Sequence, residues 1–122
     1  MGEKEESFKI LKELIEIEPQ KGIYHDTFGE ILITFKEYEK AIEEFQKAIE
    51  FDNNEWYIYQ TYIKLGICYT VLENLKLAEN FLKKGRELTT KIISDIESKN
   101  KWLAIGNLFL AEIEEQKNVI SF

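Results

Sequence analysis

The sequence holds one cysteine, one proline, one histidine and six glycines, and each scarcity removes a class of explanation. Cys68 alone cannot form an intramolecular disulfide, which fits a reducing, cytoplasmic setting. Set among Ile67, Tyr69 and Val71, it reads as a small core residue rather than a reactive thiol. With His25 as the only histidine and no second cysteine, the residue sets that bind zinc are missing, so no metal site and no cofactor is expected. The glycines stand singly, which leaves no Gly-rich loop to cradle a phosphate. Positive charge is short as well: 16 Lys and Arg against 23 Asp and Glu give a net charge of −7 and a pI near 4.9. That balance speaks against nucleic acid, which needs clustered cations along its phosphates, and against an anionic membrane surface. No apolar run approaches the roughly 18 residues of a membrane span, and the acidic opening MGEKEES is no signal peptide.

Apolar residues make up 44% and charged residues 32% of the 122 positions, enough for one globular domain with a sizeable core. Few residues can interrupt a helix. The expected breaks are EPQKG at 18–22, FKEY at 35–38, DNNE at 52–55, ENL at 73–75 and ESKN at 97–100. Six segments of roughly 12 to 22 residues lie between them, with apolar residues at three- and four-residue steps and no sustained alternation at period two. Asp52-Asn53-Asn54 and Ser98 offer N-cap oxygens to the helices that follow. The expected class is all-α with about six helices.

The glycines then become informative. Gly29 and Gly66 are 37 residues apart, and Gly66 and Gly106 are 40 apart; Ser7 and Ala41 are separated by 34, Ala41 and Ala78 by 37. One local pattern occurs three times: His25-x2-Phe28-Gly29-x2-Leu32, Tyr62-x2-Leu65-Gly66-x2-Tyr69 and Trp102-x2-Ile105-Gly106-x2-Phe109. A second alternates with it: Ser7-x3-Leu11-x2-Leu14, Ala41-x3-Phe45-x2-Ala48 and Ala78-x3-Leu82-x2-Gly85. A glycine inside a helix costs about 1 kcal/mol against alanine. Its recurrence beside large residues predicts that a partner helix approaches closely there. The second pattern lies on one helical face at i, i+4 and i+7. The two types therefore interlock, small against large, as antiparallel pairs that must stack to bury their edges.

At these residues the chain resembles the tetratricopeptide repeat family, whose pattern is W-x2-L-G-x2-Y…A-x3-F…P. The best unit is 59–92, with Tyr62, Leu65, Gly66, Tyr69, Ala78 and Leu82 in place. The unit at 22–55 has His25 where the family has an aromatic, and Asn53 where it often has proline. Residues 1–21 resemble a second-half helix, and 99–122 a lone first-half or capping helix with a tail. The spacings of 37 and 40 exceed the usual 34, and the helix expected from Lys76 to Ser98 is long. Repeats of that length resemble those of kinesin light chains and bacterial peptide-sensing regulators. The resemblance implies a short α-solenoid of antiparallel helix pairs over nearly the whole chain.

No catalytic constellation is present, and an enzyme is not expected. Glu43-Glu44 and Glu112-Glu114-Glu115 read as polar helix faces, and His25 as a packing substitution. Trp56, Tyr57 and Tyr59 lack a basic stripe and read as core rather than as a stacking platform for bases. The resemblance instead implies a scaffold that binds a protein or peptide segment on its concave face. Carried over residue by residue, that face holds Ile23, Asp26, Thr27, Glu30, Ile33 and Thr34; then Gln60, Ile63, Lys64, Ile67, Thr70 and Val71; then Asn100, Leu103, Ala104, Asn107 and Leu110. Asp26 and Glu30 stand where a carboxylate-binding clamp would need cations or amides, and only Lys64 and Asn107 suit one. An extended or helical ligand with aliphatic anchors and a basic residue fits better. Two alternatives stay open. One is a structural role as a homo-oligomer joined through its terminal helices, with 118–122 beside the gap. The other is a peptide-sensing fragment of a larger regulator.

Overall fold

The computed structural model describes residues 2–92 and 96–120, which form six helices. The chain divides into two compact units, Met1–Ile58 and Tyr59–Phe122.

In the first unit, α1 (Glu3–Ile17), α2 (Gly22–Thr34) and α3 (Tyr38–Asp52) follow one another through short connections. Glu3, Glu5 and Glu6 place negative charge in the first turn of α1, where it complements the helix dipole. The α1 helix ends when the Glu18 N–H returns to the Leu14 carbonyl, and Pro19 then prevents its continuation. Phe8 meets Phe28 and Phe35 edge to face, with ring centroids 5.2 and 6.1 Å apart. Lys4 lies over both Phe8 and Phe35 and pairs with Glu37 at 3.1 Å. The α2–α3 pair interlocks as the spacing predicts: Ala41, Phe45 and Ala48 are fully buried, and a Cβ added to Gly29 would meet Phe45 Cε1 at 2.6 Å.

In the second unit, α4 (Ile58–Val71), α5 (Leu75–Ile92) and α6 (Ile96–Ile120) enclose a core of Ile63, Ala78, Leu82 and Ile113. Trp102, Ile105 and Phe109 pack against it from α6. Gly66 lies against Leu82, with the Ala78 carbonyl oxygen 3.2 Å from where a Cβ would stand. Gly85 is placed reciprocally on α5, where an added Cβ would meet Ile63 Cγ1 at 2.5 Å and the Tyr59 carbonyl oxygen at 3.1 Å. Both glycines are needed for this approach. Gly106 departs from the expectation: an added Cβ would meet nothing within 4 Å. The reason is positional, since among the described residues no later helix packs on α6.

The connections α2–α3 and α4–α5 end their helices alike. Lys36 and Glu73 adopt left-handed φ angles of 61° and 63°. Lys36 and Glu37 N–H groups return to Ile33 and Leu32, and those of Glu73 and Asn74 to Thr70 and Tyr69. These are Schellman turns without glycine.

Other helix ends correct the sequence-based expectations. Within the described residues α5 runs to Ile92 and α6 starts at Ile96, so residues 97–100 are helical and Ser98 lies inside α6 rather than ahead of it. ESKN holds no proline or glycine to break the helix, which is the physical reason. The intervening residues 93–95 lie outside the described residues. Asp52 is the last residue of α3, and α4 starts only at Ile58, so Asp52-Asn53-Asn54 does not cap it. Asp52 instead accepts a 2.6 Å hydrogen bond from the Tyr57 hydroxyl. Tyr57 and Tyr59 are buried, but Trp56, expected in the core, is 63% exposed in this connection. Helix α6 runs on to Ile120, so 118–120 is helical rather than a tail; residues 121–122 lie outside the described residues.

Candidate binding face

The predicted face divides into residues that reach solvent and residues that do not. On α2, Thr27, Glu30 and Thr34 are exposed, and Ile23 and Ile33 are half-buried. The Thr27 and Thr34 hydroxyls donate back to the Ile23 and Glu30 carbonyls, at 2.9 and 3.2 Å. Asp26, expected to meet a ligand, is buried. Its charge acts inward on Tyr57, whose phenol is pushed far up, first by burial and then by Asp52, with Asp26 adding to it. An Asp26→Lys change would therefore disturb the fold as well as any binding.

On α4, Gln60 and Ile67 are half-buried, and Val71 is 47% exposed. Ile63 is fully enclosed in the core beside Gly85 and cannot reach a ligand. Lys64 and Thr70 are buried too, and the Thr70 hydroxyl donates to the Gly66 carbonyl at 2.8 Å. On α6, Asn100, Ala104 and Asn107 are exposed while Leu103 and Leu110 are half-buried. Leu110 packs against the core, and the Asn107 amide oxygen accepts from Arg86 of α5 at 3.2 Å. The predicted stripe on α6 is thus turned toward α5.

What the second unit does bring together is a groove of about 500 Å³ lined by Thr70, Val71 and Glu73 from the end of α4 and by Leu108, Phe109, Glu112 and Gln116 from α6. At 3.6 residues per turn, its α6 face lies roughly half a turn from the predicted one. The offset accompanies Gly106, which meets no partner where Gly29 and Gly66 do. The signal in the sequence was an apolar Leu108 off the predicted stripe, with Glu112 and Gln116 one and two turns beyond it, and the structure leaves Leu108 69% exposed. Val71 and Leu108 supply an apolar floor, and Glu73 and Glu112 an acidic margin. Gln116 donates to Glu112 at 3.3 Å, which holds that carboxylate in place. On the neighbouring surface Lys117 and Lys83 hydrogen-bond Glu79 and hold its carboxyl down at about 2.

In the first unit, α1, α2 and α3 enclose a smaller hollow of about 250 Å³, lined by Phe8, Lys12, Phe28, Leu32, Lys40, Glu43 and Glu44. Beside it His25 is buried, with Nδ1 2.9 Å from Glu44 Oε1 and Nε2 2.8 Å from the Pro19 carbonyl oxygen. Cys68 is fully buried, and desolvation pushes its thiol up to about 12, so it is not a nucleophile. Among the described residues no three His, Cys, Asp or Glu side chains gather as a metal site, and no helix is long and apolar enough to cross a membrane.

A tetratricopeptide repeat model matches residues 24–55, which run from α2 through α3. PcrH, solved in complex with the chaperone binding region of PopD, superposes with a TM-score of 0.79 at 19% identity, over 95% of this chain and 82% of that one. The TPR2B domain of yeast Sti1, solved as a complex with pHsp70, gives 0.66 at 19% identity, over 82% and 79%. No curated protein matches by sequence. These likenesses define an all-α fold of the helical-repeat solenoid class. Within that class, the stretch 24–55 carries the tetratricopeptide repeat signature.

Proposed function

We propose that this chain is a protein-interaction module that binds a peptide or protein segment and performs no chemistry on it. Its fold is one in which PcrH is seen with a region of PopD and the Sti1 domain with pHsp70. The observation that carries the reading is the α4–α6 groove. Exposed Val71 and Leu108 offer an aliphatic seat, and the carboxylates of Glu73 and Glu112 favour a Lys or Arg beside it. The net charge of −7 assists approach of a basic segment and makes the encounter sensitive to salt.

Selection from a displayed library of short random peptides tests this directly. Aliphatic residues next to Lys or Arg should be enriched, and Glu73→Lys with Glu112→Lys should abolish that preference. Selection of sequences indifferent to both substitutions would move the site out of the groove. A second reading, self-association, draws on α1: Ile10 and Ile17 are 52% and 75% exposed and share a stripe with Leu14. Light scattering over a concentration series distinguishes the two, because a chain that stays monomeric leaves only segment binding.

A further inference from the structure

His25 sits between two groups that can only accept. The Pro19 carbonyl oxygen faces Nε2 at 2.8 Å, and a Glu44 carboxylate oxygen faces Nδ1 at 2.9 Å. A neutral imidazole carries one N–H and can satisfy one of them; only the imidazolium donates to both. The second Glu44 oxygen accepts from Lys47 at 3.2 Å and is thereby occupied on the side away from the ring. The Phe51 ring lies 5.6 Å from the imidazole and helps to close the site. The charged groups on the surrounding elements are Glu44 and Lys47 on α3, Glu18 and Lys21 on the α1–α2 connection, and Asp26 beside His25 on α2. Glu18 and Lys21 pair with each other at 3.8 Å.

We propose that His25 is a proton-operated latch that ties the α1–α2 connection to α3. With two N–H groups it bridges Pro19 and Glu44. When the ring gives one proton to solvent, the N–H facing the carboxylate is retained, because that bond is charge-assisted. The Nε2 lone pair then faces the Pro19 carbonyl oxygen, two acceptors oppose each other, and the connection lets go. An open hollow of about 510 Å³, lined by Glu18, Pro19, Gln20, Lys21 and Asp52, gives water a route to the freed carbonyl. The α1–α2 connection is therefore held in acid and loosened as pH rises.

Because the chain has one histidine, nitrogen-15 NMR of the full chain reads this ring without ambiguity. The acid form should show two slowly exchanging ring N–H protons, and titration should remove the one on Nε2. Protection of the Lys21 and Tyr24 amides, whose N–H groups bond the Glu18 and Lys21 carbonyls, should fall several-fold with the same midpoint once the base-catalysed intrinsic rate is divided out. His25→Phe should make exchange at these amides independent of that midpoint. A ring that stays neutral throughout the folded range, or protection that is flat through the ring titration, overturns the latch. Both readouts come from the unaltered chain, so a variant that fails to fold does not weaken the test.

Discussion

Adding the repeat spacing of 37 to His25 and Glu44 leads to Tyr62 and Phe81, and the two pairs solve one packing position in opposite ways. In the first unit the pair is a buried hydrogen-bonded His and Glu. In the second it is two rings stacked 6.1 Å apart, with Tyr69 adding a second stack on Phe81 at 5.5 Å. The surrounding contacts are shared: Gly29 and Gly66, Ala41 and Ala78, Phe45 and Leu82 occupy the same phase. The helix pair therefore needs a small-against-large seam, while the adjoining position tolerates either charge or aromatic surface. The charged solution carries a condition that the aromatic one lacks. Its partners must all be present, because a buried polar group left alone loses far more than a pair contributes.

The sharpest way to break this comparison is to remove one partner. Glu44→Ala should destabilise by about 3–5 kcal/mol, since it leaves His25 buried without its carboxylate partner. Replacing both members with the second unit's residues, His25→Tyr with Glu44→Phe, should recover most of that loss in urea melts. A double variant no better than Glu44→Ala would mean that the two positions are not equivalent. Next in size is the seam. Gly66→Leu should cost about 2–3 kcal/mol through overpacking against Leu82 and the Ala78 carbonyl, despite its gain in helix propensity. Gly106→Ala should instead stabilise by about 1 kcal/mol, because nothing stands where the methyl group would go. If the two substitutions shift the midpoint in the same direction, close approach does not distinguish α4 from α6.

Smaller effects should come from the turns. Lys36→Gly and Glu73→Gly should each stabilise by roughly 0.5–1 kcal/mol, the relief of a left-handed side chain less the greater backbone entropy of glycine. Equal gains in thermal melts would sharpen the equivalence of the two connections. The mildest change concerns acid. Glu79 lies at about 2, well below its ordinary 4.5, because Lys117 and Lys83 bind its charged form. That stabilisation is fully present above 4.5 and is lost as pH falls toward 2. Glu79→Gln should flatten the part of the acid limb that reports the second unit, followed by Trp102 fluorescence. An unaltered acid limb would show that the α5–α6 ion pair adds nothing.

Legibility in the sequence followed the strength of each physical signal. The glycine-centred pattern marked α2 and α4, because a glycine tolerated inside a helix has one strong cause, and that cause is present at Gly29 and Gly66. It does not extend to Gly106, where the same letters recur without a neighbour, and the α6 face that lines the groove differs from the predicted stripe. Boundaries rested on weaker signals. Asn53 and Asn54 looked like caps, yet Asp52 was taken by the Tyr57 hydroxyl, a contact that no local pattern announces. Of the predicted face, Val71 and Thr70 border the groove, whereas Ile63 belongs to the core. Alternation of faces along a helix separates inside from outside, but it does not say how many neighbours a helix has.

The inertness of Cys68 has a practical outcome. A thiol that is fully enclosed and held near 12 will not compete for a maleimide at neutral pH. A second cysteine placed on the surface, for instance by Glu115→Cys next to Gln116 of the groove, would be the single reactive handle on the chain with Cys68 left in place. A fluorophore attached there would report occupancy of the groove by colour or anisotropy, turning a singly substituted chain into its own biosensor.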